Sequence, residues 1–390
     1  MSPLSRTVTT TAVAVVLLGQ LGTALGQGRG VLSLEVTADR RIVLRLQAPN
    51  AKAVQVQGDF MAQTHDMTKD DKGIWSYTSE PLKPGSYQYW FVMDGLTMPD
   101  PVNTYVRPAS AVYKSQVDVP GDGAEWMAFR DVPHGTLHEH WYINKDNGTA
   151  RRVVIYTPPG YGTGTQRYPV VYLLHGANDF ERGWTQTGRA NWIMDNLLAD
   201  GKARPALIVM PFGHAVSGST GKLPEVRALQ ESFRVELTVP GSRGGGSDGA
   251  GYMEKDLLGN VIPLVEREYR VIKDANHRAI IGYSMGGGHS STIGLNHPEV
   301  FAYVAAMSGN ARESAITKAL ADPEKTNQDF RLIWLGSGTD DNAVNGGRTL
   351  DKVLTNKGIR HEWVESPGYR HDYQIWRIYL RDLLPKLFRD

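Results

Sequence analysis

A single serine lies between two glycines at the end of an apolar run, in the stretch IIGYSMGGG that begins at Ile280. The segment Gly282–Gly286 fits G-x-S-x-G, a sharp strand-to-helix turn that exposes a nucleophilic serine. The glycines make this turn possible, because the serine backbone is strained and only residues without a side chain let strand and helix approach. Ser284 is therefore a candidate nucleophile, which would need a base, an acid and an oxyanion hole.

The candidate base is the histidine in the Pro/Gly-rich stretch SPGYRHDYQIW. In strand-to-helix elbows of this type the partners follow the serine in the order acid, then histidine, on loops after later strands. His289 and His297 lie on or just after the helix that follows Ser284, too close in sequence to fold back over it. His361 begins the apparent strand HEWVESP, whereas His371 follows that strand and precedes the last helix. We therefore predict that His371 is the base.

The acid should follow the strand RLIWLGSG, where Asp340 and Asp341 are adjacent. Either carboxylate could orient the imidazole, and the spacing does not separate the two. The oxyanion hole needs two backbone N–H groups directed at the developing charge. One is expected from Met285, the residue after the nucleophile, and the other from Ala177, in the loop after the earlier strand of YLLHGANDFE.

Composition excludes several other functions. The 390 residues include 41% hydrophobic and 21% charged residues, as in ordinary globular proteins. The net charge of +1 gives no reason to expect nucleic acid or an anionic membrane as a partner. The chain has no cysteine, no phosphate-binding loop and no dinucleotide fingerprint. His138 and His140 would supply only two metal ligands, so neither a metal nor a cofactor is predicted.

The first 26 residues predict a secretory signal peptide. Arg6 precedes an apolar stretch around residues 12–18, and small residues follow at Ala24 and Gly26. Cleavage is expected after Gly26, so the mature protein is predicted to be exported, either periplasmic or secreted. The alternative, an uncleaved membrane anchor, is disfavoured because the apolar core is short and contains Gln20.

The rest of the chain has two different patterns. Residues 27–119 contain short β-type runs separated by turns, which predict a small antiparallel sandwich. Residues 120–150 form a connector, predicted as a linker. Residues 151–390 alternate apolar strands with amphipathic helices, which predicts an α/β domain whose parallel sheet is covered on both faces. Within it, residues 215–250 are glycine-rich and without periodicity, which favours a mobile flap near the site.

Several blocks in consecutive order give a specific resemblance. The segments YPVVYLLHG, EKDLLGNVIPLVEREYRV, RAIIGYSMGGG and GLNHPEVFAYVAAMSG resemble the esterase D/feruloyl esterase group of carbohydrate esterase family one. The front region, with RLQAPNAKAVQVQGDF and YQYWFVMDG, resembles the early-set sandwich of glycogen-binding-type modules. The resemblance implies an α/β-hydrolase fold preceded by a small all-β, immunoglobulin-like sandwich domain.

The family's motifs match individual positions of this chain. The nucleophile falls on Ser284. The pattern W-[IL]-G-x-G-T-x-D falls on WLGSGTDD and favours Asp341 as the acid, and the histidine of G-x-H-x-W/Y falls on His371, with Tyr373 in the aromatic position. Two departures are Phe180, where relatives often carry an acidic residue, and the glycine-rich 215–250 segment. Both fall near the expected binding site for the acyl or sugar group.

The resemblance implies an ester of a plant cell-wall polysaccharide as substrate, with feruloyl or a related hydroxycinnamoyl group on arabinoxylan favoured. Acetyl-xylan and catecholate siderophore esters are the alternatives, and a small aromatic ester is also compatible. Trp184 and Trp192, after the oxyanion loop, are candidates for stacking on a phenolic ring, and Asn178 in that loop is a further candidate substrate ligand. The sequence gives no indication of the oligomeric state.

Two rival functions use the same features differently. In a glycan-binding protein the sandwich would hold sugar through Trp75, Tyr87, Tyr89 and Trp90, and the hydrolase domain would be an inactive scaffold. The complete set of serine, acid and histidine argues against this reading, because a scaffold needs none of them. An acyltransferase would use the same three residues, with a sugar hydroxyl in place of water.

Overall fold

The computed structural model describes most of the chain, in five ranges: 33–107, 113–146, 148–177, 179–214 and 247–389. The predicted signal peptide lies outside these ranges, as does all of the predicted flap except its last four residues. Those four residues already belong to a helix, which begins at Ser247 rather than near Met253 as the sequence pattern indicated. Within the described ranges, no helix combines the length and hydrophobicity needed to span a bilayer.

The front region is a sandwich of two antiparallel sheets, as predicted. Its strands are β1 (Glu35–Val36), β2 (Ile42–Gln47), β3 (Val54–Gly58), β4 (His65–Asp66), β5 (Thr68–Lys69), β6 (Ile74–Thr78), β7 (Gly85–Met93), β8 (Leu96–Met98), β9 (Val106–Arg107) and β10 (Lys114–Val119). One sheet has the order β1-β2-β6-β5, and the other has β4-β3-β7-β10-β9 with β8 beside β7. Alternate side chains of the strands fill the core between the sheets, among them Ile42, Leu44, Val54, Val56, Tyr89 and Phe91.

The second region is built on one eight-stranded sheet. Its strands are β11 (Thr136–Ile143), β12 (Ala150–Thr157), β13 (Val170–Leu174), β14 (Leu207–Pro211), β15 (Arg278–Tyr283), β16 (Tyr303–Met307), β17 (Leu332–Gly338) and β18 (Glu362–Ser366). Their order is β11-β12-β14-β13-β15-β16-β17-β18. The six strands from β14 to β18 in this order are parallel, and β11 and β12 are antiparallel additions at one edge.

Helices cover both faces of this sheet. They are α1 (Gly183–Gln186), α2 (Ala190–Ala199), α3 (Ser247–Asp256), α4 (Ile262–Glu268), α5 (Met285–Asn296), α6 (Thr317–Ala321), α7 (Pro323–Asp329), α8 (Val344–Asn356) and α9 (Tyr373–Leu383). One apolar core lies between the sheet and α2 and α9, and a second lies between the other face and α3, α4, α5 and α8. The parallel strands are buried on both faces, which explains their continuous apolar sequences.

The predicted linker contains a strand of the large sheet. β11 pairs with β12 along its whole length, from Thr136 opposite Thr157 to Ile143 opposite Ala150. In the structure the second region therefore begins before residue 136 rather than at residue 151. The sequence concealed this strand because it lies at the edge of the sheet, where one row of its side chains, including Leu137 and Trp141, is exposed.

The two regions are joined by hydrogen bonds as well as by the chain. Arg189, just before α2, forms an ion pair with Asp118 on β10. From α9, Gln374 Nε2 donates to the backbone oxygen of Ser86 at 2.6 Å, and Arg377 Nη1 donates to the same oxygen at 3.0 Å. The sandwich therefore packs against the helix that follows the candidate base.

Candidate active site

Ser284 occupies a strained turn between β15 and α5. Its φ and ψ angles are 54° and −120°, in a region that residues with side chains rarely adopt. A Cβ on Gly282 would lie 2.2 Å from the oxygen of Gly286, and one on Gly286 would lie 2.6 Å from the oxygen of His175. The backbone N–H of Ser284 donates to Met307 at 2.9 Å, which ties the turn to the neighbouring strand. The glycines thus have the steric role expected from the motif.

The structure brings the three predicted side chains into one hydrogen-bonded chain. Nε2 of His371 lies 2.8 Å from Oγ of Ser284, and its Nδ1 lies 2.8 Å from Oδ1 of Asp341. When Nδ1–H donates to the carboxylate, Nε2 is left as the acceptor for the serine hydroxyl. The imidazole packs edge-on against Trp376 of α9 at a centroid distance of 5.1 Å, which fixes its plane. The arrangement suits proton transfer from serine to histidine.

Asp341, and not its neighbour, faces the histidine. Its side chain is fully buried, and Oδ1 also accepts a hydrogen bond from the backbone N–H of Ala343 at 2.7 Å. Burial raises the pKa of Asp341, but the hydrogen bond and charge of His371 outweigh burial and hold this pKa below its usual value. Asp340 is exposed and interacts with Thr339. The ionised Asp341 carboxylate can therefore stabilise an imidazolium at His371.

The loop after β13 lies directly beside the serine. A Cβ placed on Gly176 would be 3.1 Å from Cβ of Ser284. The next residue in the loop, Ala177, therefore also lies beside the nucleophile. Met285 is the first residue of α5, where backbone N–H groups have no partner within the helix. Both predicted oxyanion-hole donors are thus near Ser284, and their role in binding an oxyanion stays a prediction.

A buried histidine holds this loop in place. His175 Nδ1 lies 2.8 Å from the oxygen of Gly176, and Nε2 accepts a hydrogen bond from the backbone N–H of Gly213 at 2.8 Å. Burial, with the nearby His214, lowers the pKa of His175 to about 3. The ring is therefore neutral and keeps one donor and one acceptor for these backbone groups.

The predicted substrate-binding residues have different positions. Trp184 is only 1% exposed, and its Nε1 donates to the backbone oxygen of Leu174 at 3.0 Å. The prediction that it stacks on a substrate ring is wrong, because the indole is part of the core. Trp192 is partly exposed and contacts Phe129 and Arg189, so its role stays a prediction. Asn178 lies outside the described residues.

The structure also shows the surroundings of residues considered for glycan binding and for metal binding. Tyr89 and Trp75 are buried in the sandwich core, which removes them from a sugar-stacking platform. His140 Nε2 lies 2.6 Å from Oη of Tyr269, and His138 Nε2 lies 3.0 Å from Oγ1 of Thr157, so both imidazoles have protein partners.

A buried carboxylate behind the site was not among the residues predicted from the sequence. Asp179, in the loop after β13, is 2% exposed and contacts Tyr283 and Tyr373, the near neighbours of Ser284 and His371 in the chain. Its charge partner is Arg107 of the sandwich. The loop HGANDFERG contains a second acidic residue, Glu181, so nothing local distinguished Asp179, and nothing in the sequence linked it to a residue 72 positions earlier.

The sheet order and the elbow at the carboxyl end of β15 define an α/β hydrolase with an N-terminal sandwich. Residues 145–387 match the family model described as "Putative esterase", and the chain belongs to this family. Residues 31–108 match the model of carbohydrate-binding module 48, the isoamylase N-terminal domain. These matches confirm the family resemblance drawn from the sequence.

Relatives and solved structures agree with this assignment. A protein of Xylanibacter ruminicola named endo-1,4-beta-xylanase/feruloyl esterase is 30% identical over 352 residues. The match includes 88% of this chain but only 44% of that protein, so the chain spans less than half of its length.

Two solved structures share the fold. The CE1 ferulic acid esterase of Anaeromyces mucronatus in complex with ferulic acid is 21% identical, with a TM-score of 0.54 over 73% of this chain and 97% of that one. The enterobactin esterase of Shigella flexneri in the presence of enterobactin is 17% identical, with a TM-score of 0.64 over 89% of this chain and 92% of that one.

Proposed function

We propose that this protein is an exported serine carboxylesterase that hydrolyses hydroxycinnamoyl esters of plant cell-wall polysaccharide, with feruloyl esters of arabinoxylan as the favoured substrate. The observation that carries the proposal is the hydrogen-bonded chain from Asp341 through His371 to Ser284, at the carboxyl ends of parallel strands. Ligand sites of open α/β sheets lie at this end of the strands.

The geometry supports acyl transfer in two steps. The Ser284 hydroxyl attacks the ester carbonyl carbon while its proton moves to Nε2 of His371. The carbon–oxygen bond to the sugar then breaks, and His371 returns the proton to the departing alcohol, which leaves an acyl-serine. A water molecule attacks this ester and gives a proton to His371, the bond between the acyl carbon and Oγ breaks, His371 returns the proton to Ser284, and the acid is released. Asp341 stabilises the imidazolium in both steps.

The negative charge that develops on the carbonyl oxygen requires hydrogen-bond donors directed at that oxygen. The backbone N–H groups of Ala177 and Met285 take this role, since both adjoin Ser284. A preformed pair of donors is worth several kcal/mol, because each donor in such holes contributes about 100- to 1,000-fold to kcat. The orientation of the Ala177 N–H depends on the contacts of the neutral His175 with the backbone of Gly176 and Gly213.

The proposed substrate rests on the Xylanibacter ruminicola relative, whose name includes feruloyl esterase and whose match extends over both regions of this chain. A polysaccharide substrate also suits a chain whose residues 31–108 match a carbohydrate-binding module. Export, proposed from residues 1–26, would bring the enzyme to a polymer that does not enter cells.

A catecholate triester is the second candidate substrate. It is favoured by one observation, the likeness to the Shigella flexneri enterobactin esterase over 89% of this chain, which includes both regions. Feruloyl and catecholate esters both carry a phenolic ring on the acyl side of the scissile ester, joined through a vinylene in the first and through an amide in the second, so the same triad would serve either. The two substrates differ in the alcohol that leaves.

The test is acid release by the purified full chain and by Ser284→Ala from four substrates: methyl ferulate, feruloylated arabinoxylan oligosaccharides, acetylated xylan and a catecholate triester. We expect the wild type to cleave the feruloyl esters best and Ser284→Ala to lose at least about 10,000-fold in kcat. Preference for acetylated xylan or the triester would replace the proposed substrate. Equal activity of the variant would refute the nucleophile, and binding of xylan with no release from any ester would favour the glycan-binding function.

A further inference from the structure

One buried carboxylate collects hydrogen bonds from three parts of the fold. Oδ2 of Asp179 accepts from Nη2 of Arg107 at 2.6 Å, from Oη of Tyr283 at 2.5 Å and from Oη of Tyr373 at 2.6 Å. Oδ1 accepts from the backbone N–H of Phe180 at 2.9 Å. Since the Asp179 side chain is only 2% exposed, these protein groups replace its hydration.

Two of these donors are near neighbours of the proposed catalytic residues. Tyr283 directly precedes Ser284, and Tyr373 lies two residues after His371, at the start of α9. Their hydroxyls are 2.8 Å apart, and their rings meet edge to face at a centroid distance of 5.1 Å. Asp179 therefore links the strand end that carries the nucleophile to the loop that carries the base.

The positive charge that pairs with Asp179 comes from the sandwich domain. Arg107 is in β9 of the sandwich, its side chain is 10% exposed, and its Nη1 donates to Oε1 of Gln88 on β7 at 3.1 Å. The guanidinium also lies 5.2 Å from the centroid of the Tyr373 ring. Without this arginine the Asp179 carboxylate would be a buried, uncompensated charge, which is strongly destabilising.

The charges around this carboxylate keep the two tyrosines protonated. Burial, together with the negative charge of Asp179, raises the pKa of both Tyr283 and Tyr373 well above the usual tyrosine value. Burial lowers the pKa of Arg107, but the charge and hydrogen bond of Asp179, together with the two tyrosines, outweigh burial and raise this pKa overall. The network therefore consists of a carboxylate, a guanidinium and two hydroxyl donors.

We propose that Arg107 is a positioning residue, which acts through Asp179 on Tyr283 and Tyr373 and thereby fixes the distance between Ser284 and His371. The sandwich domain completes the catalytic site in this way, whether or not it also binds glycan. The inference rests on the proposed function only in that Ser284 and His371 are taken as nucleophile and base.

The experiment compares the full chain with Arg107→Met, which keeps an unbranched stem of somewhat shorter length and removes the charged guanidinium. The readouts are kcat and KM for methyl ferulate and the rate constant with which a fluorophosphonate probe modifies Ser284. A misplacement of about 1 Å between reacting groups costs about 100-fold in rate. We therefore expect kcat and the probe rate constant to fall about 30- to 100-fold while KM changes less than about threefold. Arg107→Lys should recover part of the loss, because it restores the charge.

The matched control is Asp118→Asn. It also breaks an ion pair between sandwich and hydrolase domain, the pair with Arg189, but it touches neither tyrosine. It should leave kcat and the probe rate constant within about threefold of wild type. Titration of the reactive serine separates unfolding from misplacement, because unfolding lowers the titrated fraction and misplacement lowers the rate per titrated site.

The outcomes of this experiment distinguish failure of the proposed function from failure of the role of Arg107. If wild type does not react with the probe, the proposed function fails and the inference fails with it. If wild type reacts and Arg107→Met reacts equally fast, only the role of Arg107 is refuted. If Arg107→Met does not fold, the double variant Arg107→Met/Asp179→Asn has no buried charge to destabilise it. Its probe rate constant should still be at least about 10-fold below wild type, since a neutral amide oxygen is a weaker acceptor for the two hydroxyls than the ionised carboxylate, and a wild-type rate would overturn the proposal.

Discussion

Replacing Asp341 by asparagine tests the electrostatic part of the proposed mechanism. The substitution keeps the shape of the side chain and an acceptor oxygen for Ala343, but removes the negative charge that faces His371. During the reaction His371 becomes an imidazolium, and its Nδ1 is 2.8 Å from the carboxylate oxygen. The charge of Asp341 therefore stabilises the transition state more than the resting enzyme, so its loss should appear in kcat.

The size of the effect follows from this distance. Two unit charges 2.8 Å apart interact with about 6 kcal/mol at an effective dielectric constant of about 20. Each factor of ten in rate corresponds to about 1.4 kcal/mol, so the full interaction is worth about 10,000-fold. The His371 side chain is 29% exposed, and water screens part of the interaction. We therefore expect Asp341→Asn to lower kcat by about 1,000- to 10,000-fold.

The assay is steady-state hydrolysis of methyl ferulate, together with thermal unfolding to verify that the variant is folded. The matched control is Asp340→Asn, the same change one residue earlier, at an exposed carboxylate. Its kcat should stay within about threefold of wild type. If Asp340→Asn loses the activity instead, or if Asp341→Asn keeps more than about a tenth of it, the assignment of Asp341 as the acid is refuted.

Two further substitutions test the elbow and a buried carboxyl. A Cβ on Gly309 would lie 2.1 Å from the backbone oxygen of Ser284, so Gly309→Ala should shift the nucleophile and lower kcat at least about 100-fold. Gly259→Ala, whose Cβ would have nothing within 4 Å, is its control, and a similar loss in both would contradict the steric argument. Burial, helped by the charge of Asp372, raises the pKa of Asp59 from 3.8 to about 7. The folded state then binds this proton more tightly than the unfolded state, so Asp59 weakens stability increasingly as pH rises from about 4 to about 7. Asp59→Asn should therefore raise the melting temperature more near pH 8 than near pH 4, with a gain of at most about 4 kcal/mol, and equal shifts at both pH values would disprove this assignment.

The elbow was predictable because its signal is local. Gly282, Ser284 and Gly286 lie within five residues, and the close approach of Gly282 to Gly286 that requires glycine is made within this segment. The position of His371 was predictable for a related reason, since chain order in a parallel sheet fixes which loops meet at one edge. Asp341 and Asp340 could not be separated by the residues alone, because the two differ only in which side of the loop they face. Only the family pattern W-[IL]-G-x-G-T-x-D favoured Asp341 over Asp340.

The incorrect prediction for Trp184 has a different cause. An indole after the oxyanion loop has the same sequence context whether it points into a cleft or into the core. The structure puts its ring edge-on against both Tyr283 and Tyr373, at centroid distances of 5.3 Å and 5.7 Å. This packing depends on β15 and α9, which are nearly 100 and 190 residues further along the chain. No local pattern reports such a contact, whereas burial of a large aromatic side chain is the common outcome.

Long-range contacts also link the sandwich to the hydrolase domain. Arg377 is 1% exposed and donates from Nε to the backbone oxygen of Thr187 and from Nη1 to that of Ser86 in the sandwich. Burial, together with the charge of Arg189, lowers the pKa of Arg377 to about 10. A chain cut down to the hydrolase domain would leave this guanidinium short of an acceptor and Asp179 without Arg107. Loss of activity in such a fragment would therefore follow from the unpaired charges alone, and would say nothing about glycan binding. Glycan binding by the sandwich has to be tested in the full chain, by substitutions outside this interface.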